Sequence, residues 1–240
     1  MAIGFQPSTR FAFLEESDLP TYGCDRIVEE MKAHVFSLTA PSENEIRRFI
    51  SKQRDSGFSY PEVGASATAV PTAYNVDHNR VQLGRGKVTW QRAAEAIRTW
   101  QMFSMPWVSV HWPSAPILVG SDVAVSVHHF GFYSLNACRI VYTVDEEGPV
   151  KRFGFAYGTL AEHAERGEER FSIEWNRDDD RVWYDILAFS RPRQTLARLG
   201  YPLSRLLQKR FAEGSKSAML KAVGGINHKA PNKSGNPLSN

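Results

Sequence analysis

The sequence predicts an α+β fold, an antiparallel sheet of about six to seven strands packed on helices. Two observations lead there. Between Tyr74 and Phe189 apolar residues recur mainly at alternate positions, the period of strands with two unlike faces. The later stretch "PLSRLLQKRFAEGSKSAMLKAV" carries the longer period of an amphipathic helix. A sheet with one apolar face needs a cover, and this helix is the obvious one.

Taken in order, "DRIVEEMKAHVFSL" is a helical candidate within a mixed N-terminal stretch. "PSENEIRRFISKQRDSGF" sets Ser42 three residues before Glu45, the spacing of a capping box, with Gly57 as the expected stop. "SYPEVGASATAVPTAYN" is rich in Gly, Pro, Ala and Ser and reads as a loop. "YNVDHNRVQLG" alternates as a strand, with Val76, His78 and Arg80 on one side. "KVTWQRAAEAIRTWQMF" then places Val88, Ala93, Ala96, Ile97 and Trp100 near one helical stripe.

Strands are expected over "VAVSV", "CRIVYTV", "FGFAYGTL", "RFSIEW" and "VWYDILAF", joined by short polar turns such as "DEEG" and "NRDDD". In "RQTLARLG" a helical segment stops at Gly200, and Pro202 suits the first turn of the next. Leu203, Leu206, Leu207, Phe211 and Ala218 share one side of that last helix.

Bulk properties narrow the function. A chain of 240 residues with 42% hydrophobic and 12% aromatic content can bury a substantial core. The net charge is +3, and Lys229 and Lys233 lie in the polar tail, so the body is near neutral. That argues against a protein that grips phosphate backbones, and no nucleic-acid partner is expected. Cys24 and Cys138 are too few for a disulfide framework or a multi-cysteine metal site. No apolar run approaches the ~20 residues of a transmembrane helix, and "MAIGFQPSTRFAFLEESD" does not read as a secretory signal. A cytoplasmic protein without metal or cofactor is expected.

The element order (strand, helix, a run of strands, long helix) resembles the helix-grip architecture of START-like and Bet v 1-like proteins. That resemblance implies a bent sheet around the C-terminal helix and an internal cavity between them. The motifs "YPEVGAS", "VQLGRG", "LNACRIVYTVDE", "RFGFAYGTLAEHAERGEERF" and "VWYDILAFSRP" together resemble a family of bacterial and plant proteins known as a domain of unknown function. The likeness runs from roughly Ser42 to Leu220 and implies a single domain, with no catalytic residues to carry over. The expected organisation is an N-terminal extension over 1–41, one domain over 42–222 and a disordered tail over 223–240.

Candidate chemistry concentrates in a few places. The middle of "FAYGTLAEHAERGEERFSIEW" gathers His163, Glu165, Glu168 and Glu169. One imidazole and two carboxylates can shuttle protons or hold a divalent ion, or else form a solvated hairpin tip. Alternation sends Glu169, not Glu168, to the same face as Phe171. Asp185 stands between Trp183 and Leu187, on the expected apolar face of its strand, where desolvation raises a carboxylate's pKa or a partner arginine (Arg139, Arg170 or Arg191) neutralises it.

Trp107, Tyr142, Tyr157 and Trp183 supply aromatic walls for a pocket, with Arg139 as a further ligand contact. Gly154, Ala156 and Gly158 leave one strand face with little bulk, which signals close backbone approach or a cavity. His128 and His129 point to opposite faces. Cys138 has no local base and reads as a small buried hydrophobe. "GRGK" lacks the spacing of a phosphate loop.

Three functions fit this pattern. The first is binding of a hydrophobic or aromatic, lipid-like small molecule between sheet and C-terminal helix, oriented by Asp185, an arginine and tyrosines. The second is acid-base catalysis on a hydrophobic substrate in that cavity, with Asp185 or Glu169 carrying the proton and His163 near the mouth. The third is a groove that receives a partner helix or lipid surface.

Overall fold

In the computed structural model, which describes residues 36–112, 116–163, 165–192 and 201–224, seven strands follow one antiparallel path. They are β2 (Asn75–Arg85), β3 (Val108–His111), β4 (Asp122–His129), β5 (Phe132–Glu146), β6 (Val150–Thr159), β7 (Glu165–Asn176) and β8 (Arg181–Pro192). Their order across the sheet is β2-β8-β7-β6-β5-β4-β3. The short β1 (Phe36–Ser37) pairs with the start of β5. Consecutive strands from β3 to β8 are hairpin neighbours, and β2 returns to close the far edge against β8. Three α-helices, α1 (Glu43–Gln53), α2 (Gly86–Arg98) and α3 (Tyr201–Gly224), and two 3-10 turns, Ala65–Ala67 and Gln101–Phe103, complete the described structure.

Both faces of this sheet are covered, by different elements. On the inner face, Val123, Phe155, Phe171, Ile173 and Tyr184 share a core with Trp90, Ala93 and Ile97 of α2 and Met219 and Val223 of α3. On the outer face, Ala124, Leu135 and Ala137 pack against Ile46 and Phe49 of α1. Farther along that face, Phe189 meets the ring edges of Tyr60 and Tyr74 from the 58–74 loop, at 5.7 and 5.1 Å between centroids.

The sequence signals explain the boundaries. Ser42 and Glu45 cap each other reciprocally at the start of α1, an arrangement that stabilises a helix by about 1 kcal/mol. The helix ends at Gln53, ahead of Gly57, because Arg139 of β5 reaches its last turn and donates to the carbonyls of Gln53, Arg54 and Ser56. Pro202 occupies the first turn of α3 as expected.

Buried contacts fix α3 on the sheet. Tyr184 Oη and Ser215 Oγ lie 2.8 Å apart with both residues inaccessible. Arg92 of α2 donates to the carbonyl of Val223 at 3.2 Å, satisfying an end group the helix leaves open. The curved sheet gripping a long C-terminal helix is the helix-grip arrangement.

Several expectations need correction. The helical candidate "DRIVEEMKAHVFSL" lies mostly outside the described residues, and its Phe36 and Ser37 are strand. The extension over 1–41 therefore contributes β1 to the sheet. Val223 and Gly224, placed in the tail from sequence, belong to α3, and Val223 is buried; 225–240 lies outside the described residues. The segment "RQTLARLG" also falls outside them, at 193–200. Among the described residues no helix is long and apolar enough to cross a membrane.

Candidate functional site

The interior between sheet and α3 is filled at one end and open at the other. Trp100, Phe103, Phe155 and Phe171 fill the middle, with ring centroids 4.9 to 5.9 Å apart along the chain of contacts. Beyond Phe103 the packing stops, and a cavity of about 410 Å³ opens toward the N-terminal half of α3. Its size falls in the range of small-molecule sites, ~300–1,000 Å³.

Each wall follows from strand alternation. Val125, Val127 and His129 project from β4, Ser134, Asn136 and Cys138 from β5, and Tyr157 and Thr159 from β6. Glu165 and Glu169 come from β7, Ile186, Ala188 and Ser190 from β8, and Asp77 and Asn79 from β2. Helix α3 adds Leu207, Gln208, Phe211 and Ala212, and Trp107 closes one side. The chamber is largely apolar and carries a few polar groups at set positions.

Glu169 is the carboxyl among these groups whose pKa is raised by burial. Tyr157 stands directly opposite it across the β6–β7 ladder and donates its hydroxyl to Glu169 Oε2 at 2.8 Å. Glu169 retains some accessible surface, yet that surface faces the cavity and protein surrounds the carboxyl. Burial pushes its pKa up to about 7; the Tyr157 hydrogen bond opposes this, while Glu165 and Asp77 add to it. The Tyr157 hydroxyl is itself held well above its ordinary value, by burial first and then by Glu169 and Cys138.

A polar clasp holds α3 over this end. Arg205 grips both carboxylate oxygens of Asp77, with Nη2 2.7 Å from Oδ1. Arg205 also donates to Gln208 Oε1 at 2.6 Å, and Gln208 Nε2 donates to Glu165 at 2.7 Å and Ser190 at 2.9 Å. His163 lies on the cavity wall, its Nδ1 accepting the Glu165 backbone N–H at 3.0 Å. His129 is held below its ordinary pKa, by burial first and then by His128.

Of the residues singled out from sequence, the structure thus brings together Trp107, Cys138, Tyr157, His163, Glu165 and Glu169. It places Arg139, Tyr142, Glu168, Trp183 and Asp185 on the outer side. Asp185 is buried there, its Oδ1 3.1 Å from Arg170 Nη2 and its Oδ2 2.7 Å from His78 Nε2. Trp183 shares that face under the guanidinium of Arg80, 4.7 Å from the ring centre. Their grouping on one strand face was legible, but both faces of β8 are covered, so alternation alone does not say which one meets the cavity.

Tyr142 was displaced by a β-bulge. The register of β5 against β6 shifts between Ile140 and Tyr142, so Ile140 stays inside while Tyr142 turns out to Ser66 Oγ at 2.6 Å. Arg139 serves α1 and pairs with Asp122 at 2.6 Å. Glu168 also faces outward: its carboxylate accepts from Tyr60 Oη at 2.6 Å, Gly64 N at 2.7 Å and Ser66 N at 3.0 Å. It anchors the 58–74 loop and not the cavity chemistry.

Sequence reasoning missed Phe103, His129, Asp77 and Phe211 as lining residues. A signal existed for two of them. His129 continues the Val123–Val125–Val127 alternation, and Phe211 sits on the apolar stripe of α3. Among the described residues no group of three or more His, Cys, Asp or Glu is placed to hold a metal ion. A second, smaller cavity of about 210 Å³ lies between Trp100, His111, Trp112 and Ile140.

Comparison with known proteins places the chain by sequence. A UPF0548 protein of Dictyostelium discoideum is 38% identical over 209 residues, covering 79% of this chain and 96% of that protein. A UPF0548 protein of Deinococcus radiodurans is 35% identical over 202 residues, covering 79% and 100%. Among solved structures, Ara h 8.0201 is similar with a TM-score of 0.45 and 11% identity over 64% of this chain and 99% of that one. Human STARD10 is similar with a TM-score of 0.40 and 10% identity over 76% and 81%. Residues 59–218 match the family described as Domain of unknown function (DUF1990), and the chain belongs to that family.

Proposed function

We propose that this protein binds an apolar or aromatic small molecule in the cavity between the sheet and α3. The observation that carries this reading is an apolar chamber of about 410 Å³ beside a filled core. A folded interior is normally packed to crystal-like density, so an unfilled space of this size, walled by Phe103, Trp107, Val125 and Phe211, is a receptor in search of contacts. The cytosol is the compartment we infer, which the buried free thiol of Cys138 supports.

The test is a Nile red titration followed by fluorescence, comparing the wild-type protein with Ala188→Trp, whose indole would occupy the chamber. Blue-shifted, saturable binding that weakens at least ~10-fold in the variant supports the reading. Equal binding by the two proteins, with the variant folded, removes the cavity from the function.

A second reading, acid-base catalysis on an apolar substrate, is favoured by one observation. Glu169 is held at a pKa of about 7, where a carboxyl both gives and accepts a proton near neutrality. In that reading Glu169 is the proton carrier, Tyr157 orients it, and His163 stands at the cavity wall.

A further inference from the structure

We propose that the cavity selects a protonated amine carried on an apolar or aromatic body, with the Glu169 carboxylate as its counter-ion. This rests on the ligand-binding reading above and names the class of ligand.

The geometry begins at the two oxygens of Glu169. Oε2 accepts the Tyr157 hydroxyl, and Oε1 makes no hydrogen bond with the described protein although the side chain lies on the cavity wall. A carboxylate oxygen turned to an apolar chamber is an acceptor waiting for a donor, and leaving it unmet costs more than any neutral contact returns. An ammonium group supplies both an N–H and the opposite charge, and such charge-assisted bonds are roughly twice as strong as neutral ones.

The surrounding charges point the same way. Glu165 of β7 and Asp77 of β2 face the same chamber, Asp77 held by Arg205 and Glu165 by Gln208 of α3. The other titratable groups near Glu169 are His129 of β4, Cys138 of β5, Tyr157 of β6, Tyr184 of β8 and His163. Burial favours the neutral form of the His129 imidazole, the Cys138 thiol and both tyrosines. No lysine or arginine is among the described residues that line the chamber. Among the described lining residues an anionic headgroup would meet carboxylates and no lysine or arginine. The far walls, Phe103, Trp107, Leu207 and Phe211, suit a ring or short chain attached to the amine.

Occupation by an amine should be linked to pH. Glu169 must be ionised to pair, so amine affinity rises between about pH 5 and pH 8, while a primary amine stays protonated throughout.

The experiment is calorimetric titration with three probes of similar shape: phenethylamine, phenethyl alcohol and hydrocinnamate. At about pH 8 phenethylamine should bind at least ~10-fold more tightly than the alcohol, and hydrocinnamate most weakly. At about pH 5 the amine's advantage should shrink, and in Glu169→Gln it should vanish while Nile red binding persists.

Should Glu169→Gln fail to fold, the pH dependence of the amine-to-alcohol ratio in the wild-type protein decides the matter. An alcohol that binds as tightly as the amine, or a ratio flat with pH, overturns this inference and leaves the cavity reading standing. If neither the three probes nor Nile red binds, the cavity reading itself falls and takes this one with it.

Discussion

Tyr157 and Glu169 face each other across the β6–β7 ladder, joined by a 2.8 Å hydrogen bond at the edge of an apolar cavity. Two strand neighbours thereby place a carboxyl in the wall of the chamber. The consequence is energetic. Glu169 binds its proton at about 7 in the folded protein against 4.5 for an ordinary glutamate, so the folded state holds the extra proton between those values. Stability therefore falls as pH rises from about 4.5 to 7 and stays at the lower level above.

Glu169→Gln removes that titration. The variant should match the wild-type protein near pH 4 and exceed it by about 2 kcal/mol near pH 8, less than the full shift implies because the cavity admits some solvent. His129 acts with the opposite sign: its lowered value makes stability fall as pH drops below 6.5. It is present in both proteins and cancels in the comparison. Urea melts of the two proteins across pH measure the difference; a constant gap would show that Glu169 is solvated like a surface carboxylate.

Asp185 gives a contrasting prediction. Its partners Arg170 and His78 hold it on the outer face, and Arg170 also donates to the Ser66 carbonyl at 2.9 Å. Asp185→Asn should destabilise the fold by about 2–4 kcal/mol, because a half-buried guanidinium loses its counter-charge. Nile red affinity should be unchanged. A loss of binding without loss of stability would return Asp185 to the site.

How much of this was readable follows from which positions obeyed simple alternation. Tyr157 and Glu169 sit on strands with unbroken register, and their inward direction follows from Phe155 and Phe171 two residues away. Tyr142 lies just past a bulge that sequence does not mark, and one extra residue reverses every side chain beyond it. Trp183 and Asp185 mislead for another reason. The 58–74 loop packs on the outer face at Phe189, so an apolar pattern appears on both sides of β8. The cavity itself is a lack of packing between α3 and residues distant in sequence, and periodicity carries no record of that.

Gly158 shows why the small face of β6 exists. A methyl group there would overlap the Tyr60 hydroxyl, and that hydroxyl donates to Glu168 at 2.6 Å. The bare backbone admits Tyr60, and Tyr60 helps hold the 58–74 loop over the outer face. Gly158→Ala should cost about 1–3 kcal/mol through overpacking and should speed hydrogen exchange at Gly64 and Ser66, whose amides bond Glu168. Exchange at those amides equal to the wild-type rate would mean that Tyr60 finds another seat.

The clasp holds the N-terminal half of α3 beside the chamber. Arg205 joins Asp77 of β2 to Gln208, and Gln208 reaches Glu165 and Ser190. The middle and far end of α3 are held separately, by Ser215 on Tyr184 and by buried Met219 and Val223. Arg205→Ala should therefore loosen one end of the helix and leave the other docked. Two effects follow with separable readouts. Hydrogen exchange should accelerate over Leu206–Phe211 but not over Ala218–Val223, and Nile red should enter and leave faster with a smaller change in affinity. Removing the guanidinium also strips Asp77 of its partner, and Asp77 already acts to raise Glu169. The Glu169 titration, followed by carboxyl NMR, should move above about 7 in the variant. If exchange rises along the whole helix, α3 is a single cooperative unit, and opening at the cavity end alone is ruled out.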